Sequence, residues 1–263
     1  MFPIANIELY NYYPVLSQKG IEIKLYTKRV KSKYLTIIAC HIININRFNI
    51  LKKNIEYIKS CNTDIILVYS QNLPLNDVIK KEFDFPCFEV PNDHLKDFSK
   101  WHHVIKNTDF SNYDFVSFTN DSFSIHHSIS HFYNLAAEKK VELYAYTSSS
   151  EIKYHYQSYL FILKVDQGKL EKFTSFLEDN IISKTFKPLI NAVNLEVELI
   201  NVFSSKECFL DVGNIPTNFK KNIFFHNRTL YEALFKNHIL PFIKLKKKHP
   251  ITHSFFSPRR FFT

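Results

Sequence analysis

The sequence predicts an α/β fold, with a mostly parallel central sheet flanked by helices and a more helical C-terminal part. Two observations carry this. Short apolar runs rich in β-branched residues alternate with segments of helical periodicity through the first half of the chain, at the spacing of strand–helix–strand units. The composition also supports a large core: 45% of the 263 residues are hydrophobic, and Phe and Tyr together number 41.

LTIIAC (35–40) reads as a buried strand. FNILKKNIEYIKS (48–60) follows, with Leu51, Ile55 and Ile58 on one helical face. DIILVY (64–69) is the next strand, so the three segments make a βαβ unit with parallel strands. FPCFEV (85–90) is a third strand. HLKDFSKWHHVIK (94–106) then places Leu95, Phe98, Trp101 and Ile105 at helical spacing. YDFVSF (113–118), ELYAYT (142–147) and YLFILK (159–164) are further strands, with a helix around 128–139 between the first two. Helical patterns occupy 169–179, 190–203 and 228–238, the last stopping before Pro241. Residues 1–34 read as a lead-in, 35–250 as one α/β domain and 251–263 as a basic aromatic tail.

Composition excludes some classes. The three glycines, Gly20, Gly168 and Gly213, cannot build a glycine-rich phosphate loop or a dinucleotide fingerprint. Cys40, Cys61, Cys87 and Cys208 lack the close spacing of a zinc or redox motif and read as free thiols of a reducing compartment. No leader-like start and no apolar run near 20 residues is seen, so a cytoplasmic protein is expected. Net charge is +9, but Ala233 to Thr263 holds seven Lys or Arg and no acid, which leaves about +2 for the rest. With Phe255, Phe256, Phe261 and Phe262, this tail suits an anionic membrane surface or a solvated basic end. Nucleic acid is not an expected partner, because the charge is confined to one tail.

In open α/β sheets ligands sit beyond the carboxyl ends of the strands. That rule selects 40–46, 70–72 and 120–124, all rich in polar residues. The sharpest of them is YDFVSFTNDSFSI (113–125), where Asn120, Asp121 and Ser122 leave the end of an apolar strand. A carboxylate there can hold Mg²⁺ or Mn²⁺ on a diphosphate or bond a sugar hydroxyl. The same tripeptide also makes ordinary turns and helix caps.

This segment resembles the Thr-Asn-Asp-Ser motif of the rhamnan-synthesis-F-like family of polysaccharide glycosyltransferases. Three more segments resemble that family in the same order. They are PNDHLKDFSKW (91–101) with Asn92, Asp97 and Trp101, HYQSYLFILK (155–164) with Gln157, Ser158 and Tyr159, and LYEALFKNHILPFIK (230–244) with Pro241, Phe242 and Lys244. Asp93 and His94 stand where that family usually has glycine after the Asn, and Asn-Asp-Ser is not a full Asp-x-Asp. The resemblance covers roughly 35–250. It implies a GT-A-like (Rossmann-like) domain that moves a hexose or deoxyhexose from a nucleoside diphosphate sugar to a saccharide or lipid-linked glycan, in surface polysaccharide biosynthesis.

The expected roles follow from that resemblance. Asp121, with Asn120, faces the donor diphosphate or a Mn²⁺ or Mg²⁺ ion. His41 and Asp97 bind the donor nucleotide or sugar, the alternatives being a partly buried histidine and a first-turn helix carboxylate; Lys244, together with Arg228, pairs with the leaving phosphates or belongs to the basic run 244–248. His226 is a candidate metal ligand or a helix cap. Gln157 and Ser158 suit acceptor hydroxyls or orient the Asp121 loop. Glu196 or Glu198 is the candidate catalytic base, and the alternative for each is an exposed helix carboxylate. Two other readings stand beside the enzyme: a non-catalytic GT-A-like glycan-binding or scaffold protein, and a basic nucleic-acid-binding protein.

Overall fold

The computed structural model describes residues 33–72, 75–93, 95–182, 188–212 and 228–245, and the backbone of 11–17 and 20–26. Within the expected lead-in, strands β1 (Asn11–Ser17) and β2 (Gly20–Tyr26) form an antiparallel hairpin. The first strand of the main sheet, β3 (Tyr34–Ile42), starts one residue before the expected run and ends two after it.

The order from there is α1 (Ile45–Lys59), β4 (Thr63–Gln71), α2 (Asn76–Glu82), β5 (Cys87–Glu89), α3 (Asp97–Asn107) and β6 (Phe115–Asn120). Next come β7 (Phe123–Ile125), α4 (Ser130–Glu138), β8 (Leu143–Ser149), β9 (His155–Tyr156) and β10 (Leu160–Lys164). The described chain closes with α5 (Gln167–Ile182), α6 (Pro188–Val202), β11 (Lys206–Leu210), α7 (Arg228–Lys236) and β12 (Phe242–Lys244).

The central sheet runs β11-β8-β10-β6-β3-β4-β5, with β9 added beside β8. Strands β3, β4, β5 and β6 are mutually parallel, as are β8 and β11, and β10 is antiparallel to both its neighbours. The fold is therefore the expected α/β type, with a mostly parallel sheet between two helical layers. A second small sheet pairs β12 with β7 antiparallel.

Strand β3 shows why the layers form. Leu35, Ile37 and Ala39 join one core with residues of α3, α5 and α6, while Ile38, Cys40 and Ile42 join the other with residues of α1, α2, α4 and α7. Alternate side chains of a strand point to opposite faces, so a continuous apolar run can feed two cores at once. Trp101 on α3 is wholly buried and meets Phe98, Phe118 and Phe161 at ring separations of 5.0, 5.7 and 5.5 Å.

One buried polar residue ties the small sheet to α1. Asn54 is 3% exposed; its Nδ2 donates to the Phe123 carbonyl at 2.9 Å, and its Oδ1 accepts from the Ile125 N–H at 2.8 Å. It serves two backbone groups of β7, one at each end of the strand. Asn54→Leu leaves them unpaired, and a loss of roughly 2–4 kcal/mol in urea unfolding is expected. A change under about 0.5 kcal/mol would contradict this role.

Candidate functional site

The antiparallel entry of β10 opposite β6 brings residues 157–159 to the same sheet end as the carboxyl termini of β3, β4 and β6. This rim gathers most of the residues expected from sequence.

At the end of β6, Asn120 makes a local turn: its Oδ1 accepts from the Ser122 N–H at 3.0 Å and the Ser122 hydroxyl at 2.6 Å. The side-chain amide oxygen of Asn120 thus shapes the Asp121 loop. Asp121 Oδ2 accepts from the His41 backbone N–H at 3.3 Å, and the Asp121 carbonyl accepts from Arg47 Nη1 at 2.8 Å. Burial raises the Asp121 carboxyl above the usual carboxylate range, and the charges of Arg47, Lys100 and His41 work against that rise. The His41 ring lies 2.9 Å, through Nδ1, from Ser70 Oγ at the end of β4, and so stands beside Asp121.

Asp97 opens α3 after Lys96, whose backbone is left-handed with φ 54°. Burial, then the nearby Asp121 charge, push its carboxyl up to about 7, against the pull of Lys100, Lys244 and Lys96. Its folded pKa therefore lies above the unfolded value near 3.9. The neutral form is favoured by folding, so this contribution is complete below pH ~4 and is lost as pH rises through about 7. Asp97→Asn is expected to melt several degrees above wild type at pH 8, with the gap closing towards pH 4. A gap independent of pH in thermal melts would contradict the assignment.

Lys244, on β12, donates to Ser122 Oγ at 3.1 Å and lies 5.9 Å from the Tyr159 ring centre. Burial lowers its pKa, while the charges of Glu196, Asp97 and Asp121 raise it. Glu196 belongs to the same group: its Oε1 accepts from the Ser158 N–H at 2.7 Å and from the Ser158 hydroxyl at 3.1 Å. Ser158 is buried and holds Glu196, so it positions a carboxylate instead of presenting its own hydroxyl to an acceptor.

Two expectations do not come to the rim. Gln157 is buried, and its Oε1 accepts from Thr147 Oγ1 at 2.7 Å, which fastens the 157–159 loop to β8. Glu198 is exposed and paired with Lys153 and Asn201, each at 2.5 Å, and it lines a shallow cavity of about 600 Å³ between α5 and α6. Successive helix residues separated by two point to different sides, so only Glu196 of the two can face Ser158. His226 and the tail 251–263 lie outside the described residues, as does the Arg228 side chain. Among the described residues no group of three or more His, Cys, Asp and Glu side chains is arranged to hold a metal.

Two residues of the rim were not singled out from sequence. Lys100 is wholly buried, donating to Asn92 Oδ1 at 2.9 Å and more loosely to the Lys96 carbonyl at 3.4 Å. Arg47 lies in the first turn of α1, where Asn44 caps the helix by accepting from the Arg47 N–H at 3.0 Å. Its sequence signal is a cation where a helix start favours acids.

No protein-family model and no curated protein matches this chain. Among solved structures it is similar to 4-diphosphocytidyl-2C-methyl-D-erythritol synthase from Anaerococcus prevotii DSM 20548. The two share 14% identity and a TM-score of 0.45, over 76% of this chain and 99% of that one. No helix among the described residues is long and apolar enough to cross a membrane.

Proposed function

We propose that this chain is a glycosyltransferase that moves a monosaccharide from a nucleoside diphosphate sugar to a saccharide hydroxyl, of the kind used in surface polysaccharide biosynthesis. The observation that supports it is the rim itself: three carboxylates, Asp97, Asp121 and Glu196, act electrostatically on one partly buried cation, Lys244, beyond the carboxyl ends of the parallel strands. Carboxylates suit sugar hydroxyls, and a desolvated ammonium suits a departing phosphate.

In this reading Asp121 accepts from a donor-sugar hydroxyl, and Asp97, largely neutral below pH 7, can donate to another. Glu196 Oε1 is held by Ser158, which leaves Oε2 to take the proton of the acceptor hydroxyl. The acceptor oxygen bonds to the anomeric carbon as the bond from that carbon to the phosphate oxygen breaks. The electron pair leaves with the diphosphate, beside Lys244. Asp121 and Asp97 also fit a metal held mainly by substrate: Mg²⁺ binds through one or two carboxylates plus phosphates. Such an ion would supply charge neutralisation on the leaving group. A lipid-linked acceptor and contact of the basic tail with an anionic membrane belong to the same proposal.

The test is a panel of UDP-, GDP-, dTDP- and CMP-sugars, with and without Mn²⁺, assayed for nucleotide release. One donor is expected to be turned over slowly without acceptor and faster with saccharide. Release from none, under any metal condition, would overturn the enzyme and leave a binding or scaffold domain.

A further inference from the structure

Arg47 and Lys244 come from opposite ends of the described domain, one on the first turn of α1 and the other on β12. The fold brings them to the same three-residue turn. Arg47 Nη1 holds the Asp121 carbonyl at 2.8 Å, and Lys244 Nζ holds Ser122 Oγ at 3.1 Å. The turn between them is stiffened by the two hydrogen bonds to Asn120 Oδ1.

Like charges brought together cost free energy unless something answers them. Here each uses a neutral oxygen as its anchor, and among the described residues neither forms an ion pair within 4 Å. Their closeness is also felt electrostatically, since Arg47 lowers the pKa of Lys244. Arg47 sits besides at the N-terminal end of a 15-residue helix, whose dipole adds positive potential. The surrounding carboxylates of Asp97, Asp121 and Glu196 offset part of this charge from a distance.

We propose that Arg47 and Lys244 form a two-point clamp for a diphosphate, closing on it from either side of the Asn120–Ser122 turn. Their anchors lie on adjacent residues, whose Cα atoms are about 3.8 Å apart. Two cations anchored on neighbouring residues match the two neighbouring phosphoryl groups of a diphosphate. The planar guanidinium supplies a fork for one group and the ammonium a point charge for the other. The clamp gives the leaving diphosphate protein cations of its own, so its grip does not require a metal. This inference rests on the proposed function for its substrate, but it can be tested apart from it.

The probes are inorganic pyrophosphate and orthophosphate, titrated calorimetrically in EDTA against wild type, Arg47→Gln, Lys244→Gln and Arg47→Lys. Wild type is expected to bind pyrophosphate more tightly than orthophosphate. Each Gln variant should lose about tenfold or more of that affinity, in line with one charged hydrogen bond. The slope of log K against log salt should shrink in both, which a purely structural defect would not produce, and Arg47→Lys should recover part of the affinity. Three results would overturn the clamp: pyrophosphate bound no better than orthophosphate, binding only when Mn²⁺ is added, or affinity and salt slope unchanged in both Gln variants. The two proposals fail separately. A nucleotide sugar held equally well by the Gln variants removes the clamp and leaves the transferase. Clamped pyrophosphate with no nucleotide sugar bound or turned over removes the transferase and leaves the anion site.

Discussion

Glu196→Gln is expected to slow sugar transfer by about 10²–10⁴-fold while leaving donor affinity within a few-fold of wild type. The substitution keeps an oxygen to accept from the Ser158 N–H and hydroxyl, so the 157–159 loop has no reason to move. What is lost is the capacity to take a proton from the acceptor. A general base acts only in the chemical step, so the loss should fall on kcat and not on donor KM. The neighbouring carboxylate serves as control. Glu198→Gln removes only an exposed pair with Lys153, and transfer should stay within about twofold. Equal losses in the two variants would mean that helix α6 matters for its packing and that the base lies elsewhere.

Trp101→Ala is the second large effect, and it acts on stability. The indole is wholly buried against Phe98, Phe118 and Phe161. Its Nε1–H donates to the Thr119 carbonyl at 3.3 Å, directly before the Asn120–Ser122 turn. Truncation removes the largest side chain of that core and leaves a cavity, for which a cost of about 3–5 kcal/mol is expected in chemical unfolding. Because Thr119 carries the turn, any folded remainder should also bind donor more weakly. Trp101→Phe keeps the ring and drops the donor, so it should cost less. A Trp101→Ala loss below about 1 kcal/mol would show that α3 can collapse onto the sheet and that the indole does not fix the strand end.

Much of this arrangement was legible in the sequence, for definite reasons. Strands β3, β4 and β6 are continuous apolar runs because both their faces are covered, and such runs stand out without any alignment. Their carboxyl ends then locate His41, Ser70 and Asp121 together. Asp97, Ser158, Glu196 and Lys244 also meet there; a family resemblance suggested all four, and the β10 reversal is what brings Ser158 in. Short elements were not legible. β7, β9 and β12 have two or three residues each, too few to show a period, and β12 is what carries Lys244 to the turn. The short helix α2 and strand β11 were missed as well.

Gln157 and Asn120 are polar groups near a crevice, and sequence cannot say whether such a group faces a ligand or supports the structure beside it. Here the amide oxygen of Gln157 accepts from Thr147 and that of Asn120 accepts from Ser122. Lys100 fails in the opposite direction: lysine is almost always solvated, so nothing in DFSKW announces a wholly buried ammonium beside two carboxylates.

The central claim is that this rim binds a nucleotide sugar through Asp121. Calorimetric titration of wild type and Asp121→Asn with the same panel of nucleotide sugars, with and without Mn²⁺, tests it most directly. One nucleotide sugar is predicted to bind wild type, with Asp121→Asn weaker by tenfold or more and melting no lower, because the buried carboxylate is held at a cost. Binding of equal strength in the two proteins, or of no nucleotide sugar to wild type, would contradict it.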